Sequence, residues 1–435
     1  MKRLIICIFL CLSGTASVAR DAVPAGIDDA GMSGALPVLF DGGVRFRWHV
    51  PGDEVATARL RELTEEITVA ADGAVTGIRL SVPDGAAVEL VSESSFIPDP
   101  LPGFGAVYGN VWPVAVDGDG QASLEEGETE VAGRWIGVRN RFYTVLLSDI
   151  EAGQVSVDIE RENEPRILIL PEPGESMVSF RLYAGPVEQG ALRTADPVLT
   201  KMLFAALWNW LRWLCFGMLW LLTVIDGIVG NIGLSIILLS VAVKFLMTPL
   251  TRAADRLQAS VNATSARLQP ELDEIKREYR GEEAHNRVLA VYKKHDVHPL
   301  YTMKSLAGFL LQIPIFIAAF DMLGESYALH EVSFLWMADL AKPDQWVALP
   351  FVLPFFGGHL NLLPCLMTAF TLLTSWLQQE AALTPELMRR QRKRLFWMAG
   401  AFFLLFYTFP AGMVLYWTTN NVLALLKLIP RAIRG

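Results

Sequence analysis

The sequence predicts a multi-pass α-helical membrane bundle joined to an N-terminal all-β sandwich domain. Composition is the first sign: 52% of the 435 residues are hydrophobic and only 19% are charged. That is too apolar for a soluble protein of this size and too polar for a pure bundle, so one soluble and one membrane domain are expected. The second sign is a change of period. Residues 36–188 alternate apolar and polar positions, whereas from residue 203 the chain is built of long apolar runs. The third is a cation, Lys244, inside one of those runs (232–250). The net charge of −9 gives no support to nucleic-acid recognition.

At the N-terminus, Lys2 and Arg3 precede a short apolar stretch, and Ser17 and Ala19 offer a cleavage site. Residues 1–19 therefore read as a secretory signal peptide, with an uncleaved anchor as the alternative. Cys7 and Cys11 fall in that segment, and Cys215 and Cys365 fall in apolar runs. Residues 36–188 contain no cysteine, so their core must hold without disulfides.

Strands are expected where alternation is clearest: Val44–Val50, Ala74–Val82, Gln154–Ile159 and Met177–Tyr183. Turn pairs such as Asp72-Gly73, Asp84-Gly85 and Pro173-Gly174 separate them. Asp117-Gly-Asp119-Gly-Gln121 with Glu125 and Glu128 partly resembles a calcium loop. Ala122 stands where the sharp turn needs glycine, and a solvated β-turn is the favoured reading. No nucleophile motif or paired carboxylates are present, so this is read as a binding or spacer domain.

Five spans are expected, at 231–250, 306–323, 360–378, 395–409 and 412–429. The run 203–222 is also long enough to cross. Parity argues against it: the signal peptide puts the β-domain outside, and the basic run Arg389–Arg394 belongs inside. An odd number of crossings must lie between them, and three are already counted. Residues 203–229 are therefore read as an interfacial amphipathic helix, with Trp208, Trp210, Trp213 and Trp220 at headgroup depth. A true span there, with another segment excluded, is the alternative. Phe409-Pro-Ala-Gly412 divides the last two segments. Residues 251–305 carry two amphipathic stripes meeting at Gly281 and are expected to form a cytoplasmic helical hairpin. His295 and His298 lie three apart there with no third ligand nearby, so no metal is expected.

Taken in order, several segments are similar to the YidC family of membrane protein insertases. They are Gly230–Ser240 leading to Lys244 and Thr248-Pro-Leu-Thr251, then Leu268-Gln-Pro-Glu-Leu272 and Tyr292–Leu300. Leu311-Gln-Ile-Pro-Ile-Phe-Ile317, Ser333–Leu340 and Phe409–Tyr416 follow. The resemblance covers roughly 203–430 and extends weakly upstream through Gly133–Tyr143 and Leu182–Pro186. It implies an insertase membrane core at 230–430, with helices around a hydrophilic groove open to the cytoplasm and to lipid. It also implies departures: Lys244 stands where the family usually has Arg, and Trp417 where it often has Tyr. Tyr301-Thr-Met-Lys304 replaces a glycine-rich turn, and the external domain is short. A divergent member is indicated.

Five residues are the candidate substrate-groove set: Ser240, Lys244, Gln312, Tyr416 and Trp417. Ser240 and Lys244 are four apart and share a helix face. A charge near the bilayer centre costs roughly 2.5–3.5 kcal/mol, so Lys244 must snorkel, pair or line a wet cavity. A buried amide such as Gln312 needs a partner or water. Each residue also has a plainer role: snorkelling for Lys244, packing for Ser240, helix bridging for Gln312, and an aromatic belt for Tyr416 and Trp417. The expected function is insertion of nascent membrane proteins into the lipid bilayer, with the ribosome and a Sec-type translocon as candidate partners. The expected location is the bacterial inner membrane, with the N-terminal domain periplasmic and the C-terminus cytoplasmic. No catalytic residue, cofactor or metal is called for, and no P-loop is present. The alternative is a small-solute transporter or channel, which predicts internal repeats that the sequence does not show.

Overall fold

A computed structural model describes residues 38–39, 45–49, 68–69, 75–81, 86–92, 96–97, 100–124, 129–130, 135–159, 164–175, 177–298, 300–301, 303, 306–377 and 385–434. The expected signal peptide lies outside the described residues. The chain divides into two compact units. One holds residues 1–98, 110–203 and 226–235, and the other holds 99–109, 204–225 and 236–435.

The first unit is built on two antiparallel sheets. The strands are β1 (Val38–Leu39), β2 (Arg45–His49), β3 (Thr68–Val69), β4 (Val75–Ser81), β5 (Val88–Ser92), β6 (Trp112–Val116), β7 (Gln121–Ser123) and β8 (Thr129–Glu130). They continue with β9 (Trp135–Arg139), β10 (Tyr143–Glu151), β11 (Gly153–Ile159), β12 (Pro165–Pro171) and β13 (Met177–Pro186). One sheet runs β1-β2-β5-β12-β11-β8 and the other β3-β4-β13-β10-β9-β6-β7. Trp48 of the first meets Phe180 of the second at 5.8 Å between ring centroids, so the inner faces share one core. All four strands expected from alternation are present. β9 and β10 gave no alternating signal, because β9 is buried along its whole length and β10 along most of it. A Cβ at Gly137 would collide with the Val145 main-chain oxygen, so only glycine fits where β9 pairs with β10. The Asp117–Gly120 segment is a tight turn between β6 and β7, with Asp117 Oδ1 accepting from Asp119 N at 2.7 Å and Gly120 N at 3.2 Å.

A short helix, α1 (Gln189–Ala195), leads out of the sheets. The long helices follow: α2 (Asn209–Val229), α3 (Ile232–Leu246), α4 (Thr248–Glu278), α5 (Gly281–Lys294) and α6 (Leu306–Gly324). After the hairpin of β14 (Val347–Leu353) and β15 (Gly357–Leu360) come α7 (Leu362–Leu377), α8 (Pro385–Phe406) and α9 (Ala411–Arg434). α9 packs on α7 and α6, α7 on α8, and α4 on both α5 and α6.

Several boundaries differ from the sequence reading. The helix expected from 203 starts at Asn209, because Phe204 takes a left-handed backbone (φ 55) and turns the chain first. By length and composition, α2 is the one described helix that alone suffices to cross a membrane, although parity assigned it to the interface. The run 231–250 is two helices bent by 57° at Met247, with Pro249 in the first turn of α4, where its missing N–H has no helical partner to lose. The basic run Arg389–Arg394 and the apolar run after it form one helix, α8.

α4 and α5 fold back on each other at Gly281 (φ +63). Leu268, Leu272 and Val291 are buried between them, with Ile275, Val288, Tyr292, Val297 and Tyr301 packed around. Glu271 reaches across to Lys294 Nζ (3.0 Å) and His295 Nε2 (2.8 Å). His298 is engaged differently, its Nδ1 accepting from Leu300 N at 3.2 Å.

Candidate functional site

The five candidate residues lie on three helices, and the structure sorts them into groups. Ser240 Oγ donates to Tyr416 O at 3.0 Å, and Lys244 Nζ donates to Asn420 O at 2.6 Å. Both pairs are separated by 176 residues. Gly412 continues the series, since a Cβ there would lie 3.4 Å from Ile236 Cδ1. A constant difference in residue number, as opposed to a constant sum, means that α3 and α9 run parallel and advance in step. Ile236, Ser240 and Lys244 form one stripe of α3, facing Gly412, Tyr416 and Asn420 of α9.

The start of α9 fixes this seam. Ala411 N donates to Lys342 O at 2.7 Å and Gly412 N to Leu340 O at 2.9 Å, so the chain before β14 satisfies donors that a helix N-terminus leaves open. A Cβ at Gly412 would sit 2.9 Å from Leu329 Cδ1 and 3.3 Å from Leu340 O. Glycine is what allows this approach.

Ser240 and Tyr416 are buried and Lys244 is half-buried. Ser240 Oγ also lies 3.2 Å from Ile236 O, so backbone carbonyls provide the partners that a hydroxyl needs in apolar surroundings. One of the three donors of the Lys244 ammonium is held by Asn420 O, which leaves two for a passing acceptor or water.

Trp417 faces another way. Its ring is 5.0 Å from Phe316 edge-on, 5.8 Å from Phe406 stacked and 6.0 Å from Phe402. It anchors an aromatic cluster linking α6, α8 and α9. Gln312, one turn before Phe316 on α6, is exposed, and no hydrogen bond ties it to the α3–α9 seam among the described residues. The structure thus joins Ser240, Lys244 and Tyr416, sets Trp417 on an adjoining face, and leaves Gln312 apart.

Sequence reasoning passed over the residues beside them. Asn421 Nδ2 donates to Thr371 Oγ1 of α7 at 2.9 Å, and Asn420 Nδ2 to Tyr416 O at 3.1 Å. The run Thr418-Thr-Asn-Asn421 therefore turns one amide to α7, through Asn421, while the Asn420 amide bonds the Tyr416 carbonyl of its own helix. The signal was present as four polar residues in an apolar helix, but neutral groups do not stand out as Lys244 does. No group of three or more His, Cys, Asp or Glu side chains among the described residues is placed to hold a metal ion.

Residues 224–430 match the family model described as 60Kd inner membrane protein. A protein of Shewanella loihica named membrane protein insertase YidC is 33% identical over 259 residues, covering 58% of this chain and 42% of the relative. Proteins of the same name from Chlorobaculum parvum (28% over 324 residues) and Thiobacillus denitrificans (31% over 326 residues) each align with 71% of this chain, and with 53% and 52% of their own lengths. The chain spans about half the length of the curated relatives it matches. The matched stretch contains the whole α3–α9 seam.

Proposed function

The chain belongs to the YidC family through residues 224–430, and on that footing we propose that it is a membrane protein insertase of the bacterial inner membrane. The observation that carries this reading is the seam. A half-buried ammonium, hydroxyls and amides sit between helices that are otherwise apolar, inside the segment shared with relatives of that name. No relative reported above carries a transporter's name, and the insertase reading is retained alone.

In this reading α3, α6, α7, the apolar part of α8 and α9 cross the membrane and α2 lies at the outer interface. The β-sheet unit is periplasmic and the C-terminus cytoplasmic. α3 has 15 residues and α7 has 16, which at helical rise is about 22–24 Å against a hydrocarbon core of roughly 30 Å. Short helices thin the bilayer around them and shorten the dry path. A polar or acidic client tail exchanges water for the free donors of Lys244. Its apolar segment then leaves sideways into lipid, where burial of each CH₂ contributes about 0.8 kcal/mol. No nucleotide enters the mechanism. The α4–α5 hairpin receives the nascent chain or the ribosome, and the β-sheet unit docks an export partner such as a Sec-type translocon. Lys244 presents a compact ammonium where the family resemblance implies a guanidinium, so recognition here is of charge more than of forked geometry.

The test is reconstitution. Liposomes carrying the protein should insert a small polytopic client into a protease-protected state faster than protein-free liposomes. Equal rates would sink the proposal.

A further inference from the structure

β14 has apolar side chains on both faces, and nearly all of the strand is exposed. Trp346, Phe351 and Phe355 are exposed, and Val352 is 76% exposed. A half-buried strand ordinarily hides one face, and an apolar hairpin with both faces open to water is an association hazard.

A second loop joins this patch. The turn Gly103–Tyr108 places the Phe104 ring 4.9 Å from Phe355, edge to face, and leaves Phe104 and Val107 exposed. The contact is tight: Gly103 is left-handed (φ +56), and a Cβ there would meet Phe355 O at 2.6 Å. Gly105 N donates to Thr408 Oγ1 at 3.2 Å, which fastens the turn to the end of α8. The hairpin is fastened there as well, through Tyr407 Oη to His359 O at 3.2 Å and Asn361 Nδ2 to Tyr407 O at 2.6 Å. The two apolar tips are held together.

Continuity with α7 identifies the occupant. Residues 345–379 contain no Asp, Glu, Lys or Arg, so the hairpin and helix form one uncharged stretch. α7, at 16 residues, falls short of the hydrocarbon thickness, and the hairpin extends its apolar surface at the N-terminal end. Trp and Phe side chains without charges to define a protein partner suit the lipid interface.

We propose that the β14–β15 hairpin and the Phe104–Val107 tip form one lipid-binding wedge seated in the outer-leaflet interface beside α7. This rests on the membrane topology given under Proposed function. The wedge widens the short α7 into a surface that lipid can follow, and so holds the bilayer where the helix alone would end.

The experiment uses the full chain with its four cysteines replaced by alanine, verified for insertion activity and reconstituted in lipid nanodiscs. Nitroxide labels are placed singly through Val352→Cys, Phe104→Cys, Leu404→Cys on α8 and Glu282→Cys on α5. Collisions with oxygen, which concentrates in lipid, are compared with collisions with a water-soluble nickel chelate. The expected result is that positions 352 and 104 resemble 404, with nickel accessibility several-fold below that at 282. A wet 352 with a lipid-buried 404 overturns the wedge and leaves the topology standing. A wet 404 overturns the topology itself, and the wedge with it. Shielding of 352 from both reagents, or spin–spin broadening between copies, overturns the wedge in favour of a protein occupant.

Discussion

Lys244 is tethered to the Asn420 carbonyl and keeps two donors available. A hydrogen bond from a charged group contributes about 1.5–3 kcal/mol, so the ammonium is held firmly enough to stay at its depth and weakly enough to be shared. Lys244→Arg is expected to retain insertion activity, and Lys244→Leu to lower it several-fold for clients with acidic tails, measured by protease protection in proteoliposomes. Full activity of the Leu variant on every client would reduce Lys244 to a snorkelling residue. Gly412 gives a second test. Gly412→Val pushes side-chain atoms toward Leu329 and Leu340 O, and overpacking of this kind typically costs about 1–3 kcal/mol. The expected readout is a lower thermal midpoint in detergent, and an unchanged midpoint would mean that the loop gives way freely. The cation was legible in the sequence because charge in an apolar run is conspicuous. Its partner was not, because a backbone carbonyl leaves no mark on residue identity.

At the scale of elements, the α4–α5 hairpin joins sequence pattern to electrostatics. Its apolar stripes and Gly281 were readable from period and glycine alone, since the hairpin core follows helical spacing within a local stretch. The cross-helix contact was not readable, because Glu271, Lys294 and His295 look like ordinary solvated charges until the turn sets them opposite one another. The hydrogen bond from His295, and then that from Lys294, hold the Glu271 carboxyl below the usual glutamate range. A depressed carboxylate stabilises the fold above its unfolded pKa and loses that contribution as pH falls through the folded value. Protection of 281–294 from hydrogen exchange, taken relative to the intrinsic rate at each pH, is therefore expected to fall as pH drops below the usual glutamate range in the native protein. Glu271→Gln should be less protected already at neutral pH and lose no further protection through the acid window. Identical acid profiles for the two proteins would refute the coupling. β9 and β10 show the opposite limit. Strands buried on both sides have no polar face, so alternation cannot reveal them.

For the whole molecule, composition and period sufficed to separate a β-sheet region from a helical one, because the two obey different repeats. Helix boundaries were less legible. Phe204 turns the chain inside a run whose hydrophobicity continues, and Met247 breaks a run that the apolar residues alone would carry on to Leu250. The proposed function has a consequence at this scale. In the proposed mechanism the drive is apolar partitioning plus the membrane potential, at roughly 2.3 kcal/mol per charge per 100 mV. With an inside-negative potential imposed, insertion of clients with acidic exported tails should accelerate, and collapse by an ionophore should slow them. Clients with uncharged tails should be indifferent. Equal sensitivity of both classes would remove the potential from the mechanism.

The acceptors of the α3–α9 seam are the main-chain oxygens of Tyr416 and Asn420, and this limits what side-chain mutagenesis can reveal. An alanine placed at 416 or 420 still offers the same oxygen to Ser240 or Lys244. Alanine scanning of α9 will therefore under-report the seam, and correlated substitution between 244 and 420 has no reason to arise. Only the donor helix carries the bond in its alphabet. The partner helix carries it in its geometry, and a chemical edit of the backbone, such as an ester in place of an amide, would be needed to weaken it from that side.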